Sequence, residues 1–230
     1  MAAGFFTQGV SFELPHPPIS ERTILLVCRV VRNAWELLIA TPPTGFVLKT
    51  ATEDEITAEL VDIIENRLRI SGEVDGFDHA IFGRVEREPK ISNFNKQHPD
   101  KMPDIFFGLK RETLPVYSSQ DGLFVECKPI DSSHPLLSCY CQKGLIRFAK
   151  GDYAWAMQDA LMLGYVTGHY TFEKLASVLS KEENTNLNTV NHSLQHMFMY
   201  RSSHDRNFVW LEGRGQACRI SVSHLWLVMP

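Results

Sequence analysis

Two apolar runs held apart by a turn constrain this chain more than any other feature. The first is "DIFFGL", Asp104 to Leu109, and the second is "GLFVECKPI", Gly122 to Ile130. Turn-prone "YSSQDG" leads into the second run, so the pair reads as a β-hairpin with a longish connection. Alternation along a strand puts residues two apart on one face. Glu126 and Lys128 therefore point the same way inside an apolar segment, either as an ion pair that locks the fold or as one wall of a site.

The flanking sequence supplies helices. "TEDEITAELVDIIENRLRI", Thr52 to Ile70, places Ile56, Leu60, Ile63, Ile64 and Leu68 on one face, Thr52 with Glu55 forms a capping box, and Gly72 ends the helix. Thr23 to Ala40 begins β-branched and turns helix-like, and its type stays open. "FDHAIFGRVERE" suggests a strand or two. His134 to Val166 reads as two helices separated at Gly151–Asp152. "TFEKLASVLSKEEN" and "LNTVNHSLQHMFMYR" read as two more, and strand-like "RNFVWLE" and "ACRISVSHLWLV" close the chain. Strands in the middle with helices around them predict an α/β or α+β domain. No linker divides the sequence, so the expectation is one domain over residues 1–230, with a core at about 53–166 and a C-terminal helical and strand extension over 167–230.

Bulk properties narrow the function classes. A formal net charge of −4 over 230 residues argues against a protein that coats nucleic acid unspecifically. From Leu136 onward nine Lys/Arg face seven Asp/Glu, giving +2, so the preceding part carries −6. That asymmetry suits a local anion-binding surface. Apolar runs are too short to span a bilayer, the N-terminal segment lacks a secretory pattern, and five cysteines without a framework fit a reducing compartment. A cytoplasmic protein is expected, with no membrane partner. Walker-type loops, G-x-G-x-x-G and G-x-S-x-G are absent, which disfavours nucleotide-driven and serine-hydrolase chemistry.

Glu-x-Lys alone has little meaning, and the chain carries a second copy at Glu88–Pro89–Lys90. Pro-Asp also occurs twice, at Pro99–Asp100 and Pro103–Asp104. Context separates the copies: "EREPK" is proline-broken and charged, whereas Asp104 opens one apolar run and Glu126 and Lys128 lie in the next. Asp104 at a strand start, a hairpin, and "ECK" on the following strand resemble the PD-(D/E)xK nuclease superfamily, which includes many restriction endonucleases. The resemblance covers roughly Glu53 to Val166. It implies a restriction-endonuclease-like central mixed β-sheet flanked by helices. It also implies a Mg²⁺-dependent deoxyribonuclease, with Mn²⁺ as a substitute. Asp104 and Glu126 would be metal ligands, the Cys127 backbone carbonyl a neutral ligand, and Lys128 the catalytic lysine. The preceding helix would add an accessory acid, for which Glu59, bordering the apolar face, stands ahead of Glu55 and Glu65. DNA as partner, a homodimer, a role in restriction or defence and a defence-system partner protein follow from the family's common use. The alternatives are a non-catalytic binding or scaffolding module on the same fold, or a nuclease acting on RNA or branched DNA.

These residue types suit the chemistry, because phosphodiester hydrolysis draws on hard cations that prefer carboxylate, carbonyl and water oxygens. A lysine beside them can hold or deprotonate the attacking water and offset charge on the phosphorane. Downstream, Lys143, Arg147 and Lys150 share one helix face and are candidate phosphate contacts or simply a solvated face. His204 and Arg206, in the turn-like "SSHDR", either bind phosphate or fix the turn. In branches of the resembled superfamily a helical Gln after the Glu-x-Lys strand, with a Tyr four residues on, supports the site; Gln142 matches the first of these, but position 146 is Ile. His192 and His196 at i, i+4, followed by His204, lack further ligands for zinc. Cys139-x-Cys141 has no metal or redox spacing.

Overall fold

Helix α1 (Glu21–Ala40) takes up the segment whose type the sequence leaves open. Ser20 caps it by accepting from the Thr23 N–H, and Ile24, Val27, Cys28, Val31, Trp35 and Leu38 bury one face at three- and four-residue spacing. The structure, a computed structural model, describes residues 14–112, 117–181, 187–196, 198–210 and 215–230. Among them, no helix is long and apolar enough to cross a membrane.

Helix α2 (Glu53–Ile63) starts with the expected capping box between Thr52 and Glu55. It continues through a π-helical turn at Ile64–Leu68 into the short α3 (Arg69–Ser71) and stops at Gly72, whose φ of 67° suits a residue without a Cβ.

The described strands are β1 (Phe82–Arg87), β2 (Ile105–Leu109), β3 (Gly122–Ile130), β4 (Asp159–Val166), β5 (Thr189–His196), β6 (Met199–His204) and β7 (Ile220–Val228). They form one mixed sheet in the order β1-β2-β3-β4-β7-β6-β5. The hairpin is present, with β2 and β3 antiparallel and Ile105 opposite Val125. β3, β4 and β7 run parallel, while β6 and β5 return antiparallel, so strands of the C-terminal extension complete the sheet begun by the core.

Helices cover both faces. On one, Trp35 stacks on Tyr165 of β4 at 6.1 Å, the Thr57 and Tyr165 hydroxyls hydrogen-bond at 2.9 Å, and Cys28 of α1 meets Met199 of β6. On the other lie a π-helical segment (Leu136–Leu145) that runs directly into α4 (Ile146–Lys150), and α5 (Phe172–Leu179). Phe172 packs on Trp226 at 4.5 Å and on Tyr200 at 5.5 Å. Each fully buried aliphatic or aromatic side chain in these layers contributes about 1.5–3 kcal/mol relative to exposure.

Three sequence expectations are corrected. The second half of His134–Val166 is not a helix: after Gly151 the chain forms a loop and then β4, all eight of whose residues are buried. A parallel strand covered on both sides loses its polar alternation, and "ALMLGYV" then resembles a helix. "LNTVNHSLQHMFMYR" is the β5–β6 hairpin, so His192 and His196 sit on a strand. "RNFVWLE" contributes one isolated bridge, Val209 to Gln216, and its residues 211–212 lie outside the described residues.

Candidate functional site

Three elements deliver the charged groups to one place. Asp104 precedes β2, Glu126 and Lys128 lie on the same face of β3, and Glu53 is the first residue of α2. The Lys128 ammonium stands 2.9 Å from Glu126 Oε1, 2.9 Å from Glu53 Oε1 and 3.5 Å from Asp104 Oδ2. It also donates to the neighbouring Cys127 carbonyl, and the Cys127 N–H donates to Asp104. The hairpin register makes this convergence, because Ile105 opposite Val125 sets Asp104 beside Glu126.

The helical layer supplies a second cation. Arg147 Nη1 lies 3.1 Å from Glu126 Oε1, and the Tyr153 hydroxyl donates to Glu126 Oε2. Gly144 lets the helix come this close: a Cβ there would stand 2.8 Å from Met162 Cε and 3.2 Å from Lys128 Cγ. Glu126 is fully buried, whereas the side chains of Asp104 and Glu53 are 18 and 23 % exposed and Arg147 39 %. Solvent therefore enters past Asp104, Glu53 and Arg147 and stops at Glu126.

Burial is the largest influence on Glu126, pushing its carboxyl up to about 7, and the Asp104 charge adds to it. Lys128, Arg147 and Tyr153 pull the other way. Burial likewise raises Glu53 against the pull of Lys128. Burial alone would lower Lys128, but Glu126, Asp104 and Glu53 outweigh it and hold the ammonium above the ordinary lysine range. Lys128 is thus held in its charged form by the carboxylates around it. No known protein family, curated protein or solved structure matches the chain. The chemistry of the cluster is argued from its own atoms.

The cluster carries oxygen donors of the kind a hard cation prefers, gathered around the Lys128 ammonium and not around a shared metal position. Three carboxylates face two cationic side chains, and Glu126 Oε1, although close to both cations, accepts no well-angled hydrogen bond. In the arrangement seen, the Lys128 ammonium takes the central position. Among the described residues no three His, Cys, Asp or Glu side chains are grouped to share a metal ion.

Asp104, Glu126, the Cys127 carbonyl and Lys128 thus come together, and Glu59 does not join them. The residue of α2 that reaches Lys128 is Glu53; Glu59 lies six residues on, about 9 Å along the axis and well round the helix. Of the proposed basic face, Arg147 turns into the site while Lys143 and Lys150 are exposed. Arg206 is buried and donates to the carbonyls of Ala154, Trp155 and Met157, fixing the loop before β4. Gln142 is half-buried on the π-helical segment. His204 is enclosed between Ser202 and Thr189, His192 bonds Tyr200 and Ser180, and the His196 side chain lies outside the described residues. Sequence reasoning missed Glu53 and Tyr153. An acid at the first position of a capped helix was a readable signal for the first, while Tyr153 carries no local one.

Proposed function

We propose that this chain is a metal-dependent nuclease that hydrolyses phosphodiester bonds in DNA. The observation that carries the reading is the meeting of Asp104, Glu126, Glu53 and Lys128 from three elements at one partly exposed spot. Asp104 and Glu126 would hold Mg²⁺ or Mn²⁺, with the Cys127 carbonyl as a neutral donor and Glu53 as the further acid. A bound divalent cation supplies a Lewis acid for the phosphate and lowers the pKa of water. Lys128, kept charged by its neighbours, then offsets negative charge on the phosphorane, and Arg147 offers a forked donor to a phosphate oxygen. Tyr153 orients the Glu126 carboxyl from within the core. Restriction or defence against foreign DNA, a homodimer and a defence-system partner protein are the extensions of this reading that the motif resemblance suggests.

A second reading has its own support. The ammonium at the centre of the carboxylates neutralises them in place, as expected of a non-catalytic module that staples α2, β2 and β3 together. Cleavage assays on duplex, single-stranded and branched DNA and on RNA, with Mg²⁺ or Mn²⁺, separate the two. A nuclease cuts at least one substrate and loses cutting in Lys128→Ala while still binding it. A folded wild-type protein that cuts nothing refutes the proposal.

A further inference from the structure

Next to this site lies a groove of about 450 Å³, within the ~300–1,000 Å³ range of small-ligand pockets. Phe106, Tyr117, Gln120 and Trp155 line it, and Lys90 and Lys96 outnumber the one carboxylate, Glu86. Gln120 is only 5 % exposed, and its side-chain oxygen is buried without a hydrogen-bond partner. Native folds pair nearly all such groups, so an unpaired amide oxygen on a residue that lines the groove, itself shut just beneath the groove surface, is an acceptor that a ligand donor reaches once the Gln120 side chain turns. Tyr117 and Trp155 meet edge to face at 5.2 Å, and Lys96 Nζ lies 5.6 Å from the Tyr117 ring centre. The Trp155 indole N–H is already given to the Ser92 carbonyl at 2.9 Å, and the residue is only 4 % exposed, so it offers the groove a small apolar area and no donor.

The groove is wired to the charged cluster. Phe106 follows Asp104 by two residues, about 7 Å along the same face of the strand. It packs on Phe124 at 4.7 Å, Phe124 stacks on Tyr153 at 6.3 Å, and the Tyr153 hydroxyl holds Glu126. Trp155 lies two residues beyond Tyr153.

We propose that this groove receives one unstacked nucleobase of the bound strand, packed against its aromatic rings and hydrogen-bonded along its edge by the Gln120 amide. Lys90 and Lys96 meet the phosphate of the same nucleotide. A purely apolar ligand would leave the Gln120 oxygen unpaired, and a bare phosphate would make no use of three aromatic rings. A nucleotide uses all three kinds of wall. The inference rests on the nuclease reading for the strand's identity, and it adds that the substrate is single-stranded or has a base turned out of its stack.

The test titrates the metal-free full chain with dAMP, dCMP, dGMP and dTMP while following the Trp155 indole N–H resonance. At least one nucleotide should shift it saturably, and deoxyribose 5-phosphate, which lacks a base, should not. Gln120→Leu should weaken the preferred nucleotide about tenfold or more, the size of one lost edge contact. Lys96→Glu, at an exposed position, should weaken all four and guards against a misfolded Gln120 variant. No saturable shift with any nucleotide, equal shifts with deoxyribose 5-phosphate, or unchanged binding in both variants overturns the inference. Nucleotide binding without cleavage on any substrate would sink the nuclease reading alone, and cleavage without nucleotide binding would sink this groove alone.

Discussion

Removing the ammonium without changing the bulk of its side chain, as in Lys128→Met, strips three carboxylates of their shared counter-charge. Glu126 is fully buried and keeps only Arg147, while Glu53 and Asp104 are less than a quarter exposed. Breaking a buried pair by removing one partner costs about 3–5 kcal/mol. Glu53 and Asp104 can recover some hydration, which places the expected loss near the lower end, about 3 kcal/mol. For a chain of this size each kcal/mol shifts Tm by about 2–4 °C, so melting should fall by roughly 6–12 °C. Urea unfolding of both proteins measures the same loss. Mg²⁺ should then stabilise the variant more than the wild type, because the cation no longer competes with a resident ammonium; about 2.7 kcal/mol is available at a hundred times Kd. A loss below about 1 kcal/mol, the worth of an exposed ion pair, would refute the electrostatic account. A Mg²⁺ effect equal in the two proteins would refute the cation-binding half of it.

Three further outcomes follow from the same geometry. Glu53→Gln should abolish or strongly impair cleavage, whereas Glu59→Gln should leave cleavage intact and stability within about 0.5 kcal/mol, as for surface changes generally. Gly144→Ala should cost about 1–3 kcal/mol in urea unfolding, because the new methyl meets Met162 and Lys128 at 2.8 and 3.2 Å, and an unchanged midpoint would mean that the helix is free to back away. Burial is the main cause lowering His204 to about 4, with His192 adding to it. The unfolded chain therefore takes up the extra proton first, and stability is lost as pH falls from about 6.5 towards 4, by at most about 3 kcal/mol. Glu126, raised to about 7, titrates with the opposite sign, so His204→Gln must be compared with wild type at each pH; above pH ~7 the two curves should run parallel, offset by the packing and hydrogen bonds that the variant loses, and below it they should converge as the wild type loses the His204 contribution.

Where local chemistry decides the structure, the sequence was readable. Thr52 and Glu55 announce the start of α2, Gly72 ends the helix it begins, and the Asp104–Leu109 and Gly122–Ile130 runs pair as β2 and β3. Alternation alone placed Glu126 and Lys128 on one face. What failed depended on neighbours far along the chain. β4 hides between β3 and β7 under two helical layers, which erases the polar alternation that identifies a strand. The β5–β6 hairpin is rich in Asn, Gln and His at spacings a helix would also accept, and its pairing with β7 decides the outcome. Glu53 was missed because which end of α2 meets Lys128 is set by how the helix docks on the sheet, and Tyr153 because its partner is 27 positions away.

The π-helical stretch from Leu136 to Leu145 has a consequence for how this protein can drift. Each residue added to or deleted from an ordinary helix turns everything beyond it by about 100°. Arg147 lies just past the wide turns, so their residue count sets its bearing on Glu126. A single-codon deletion upstream would swing that guanidinium off its carboxylate while leaving each named site residue in the gene, and inspection of the motif alone would not detect the loss.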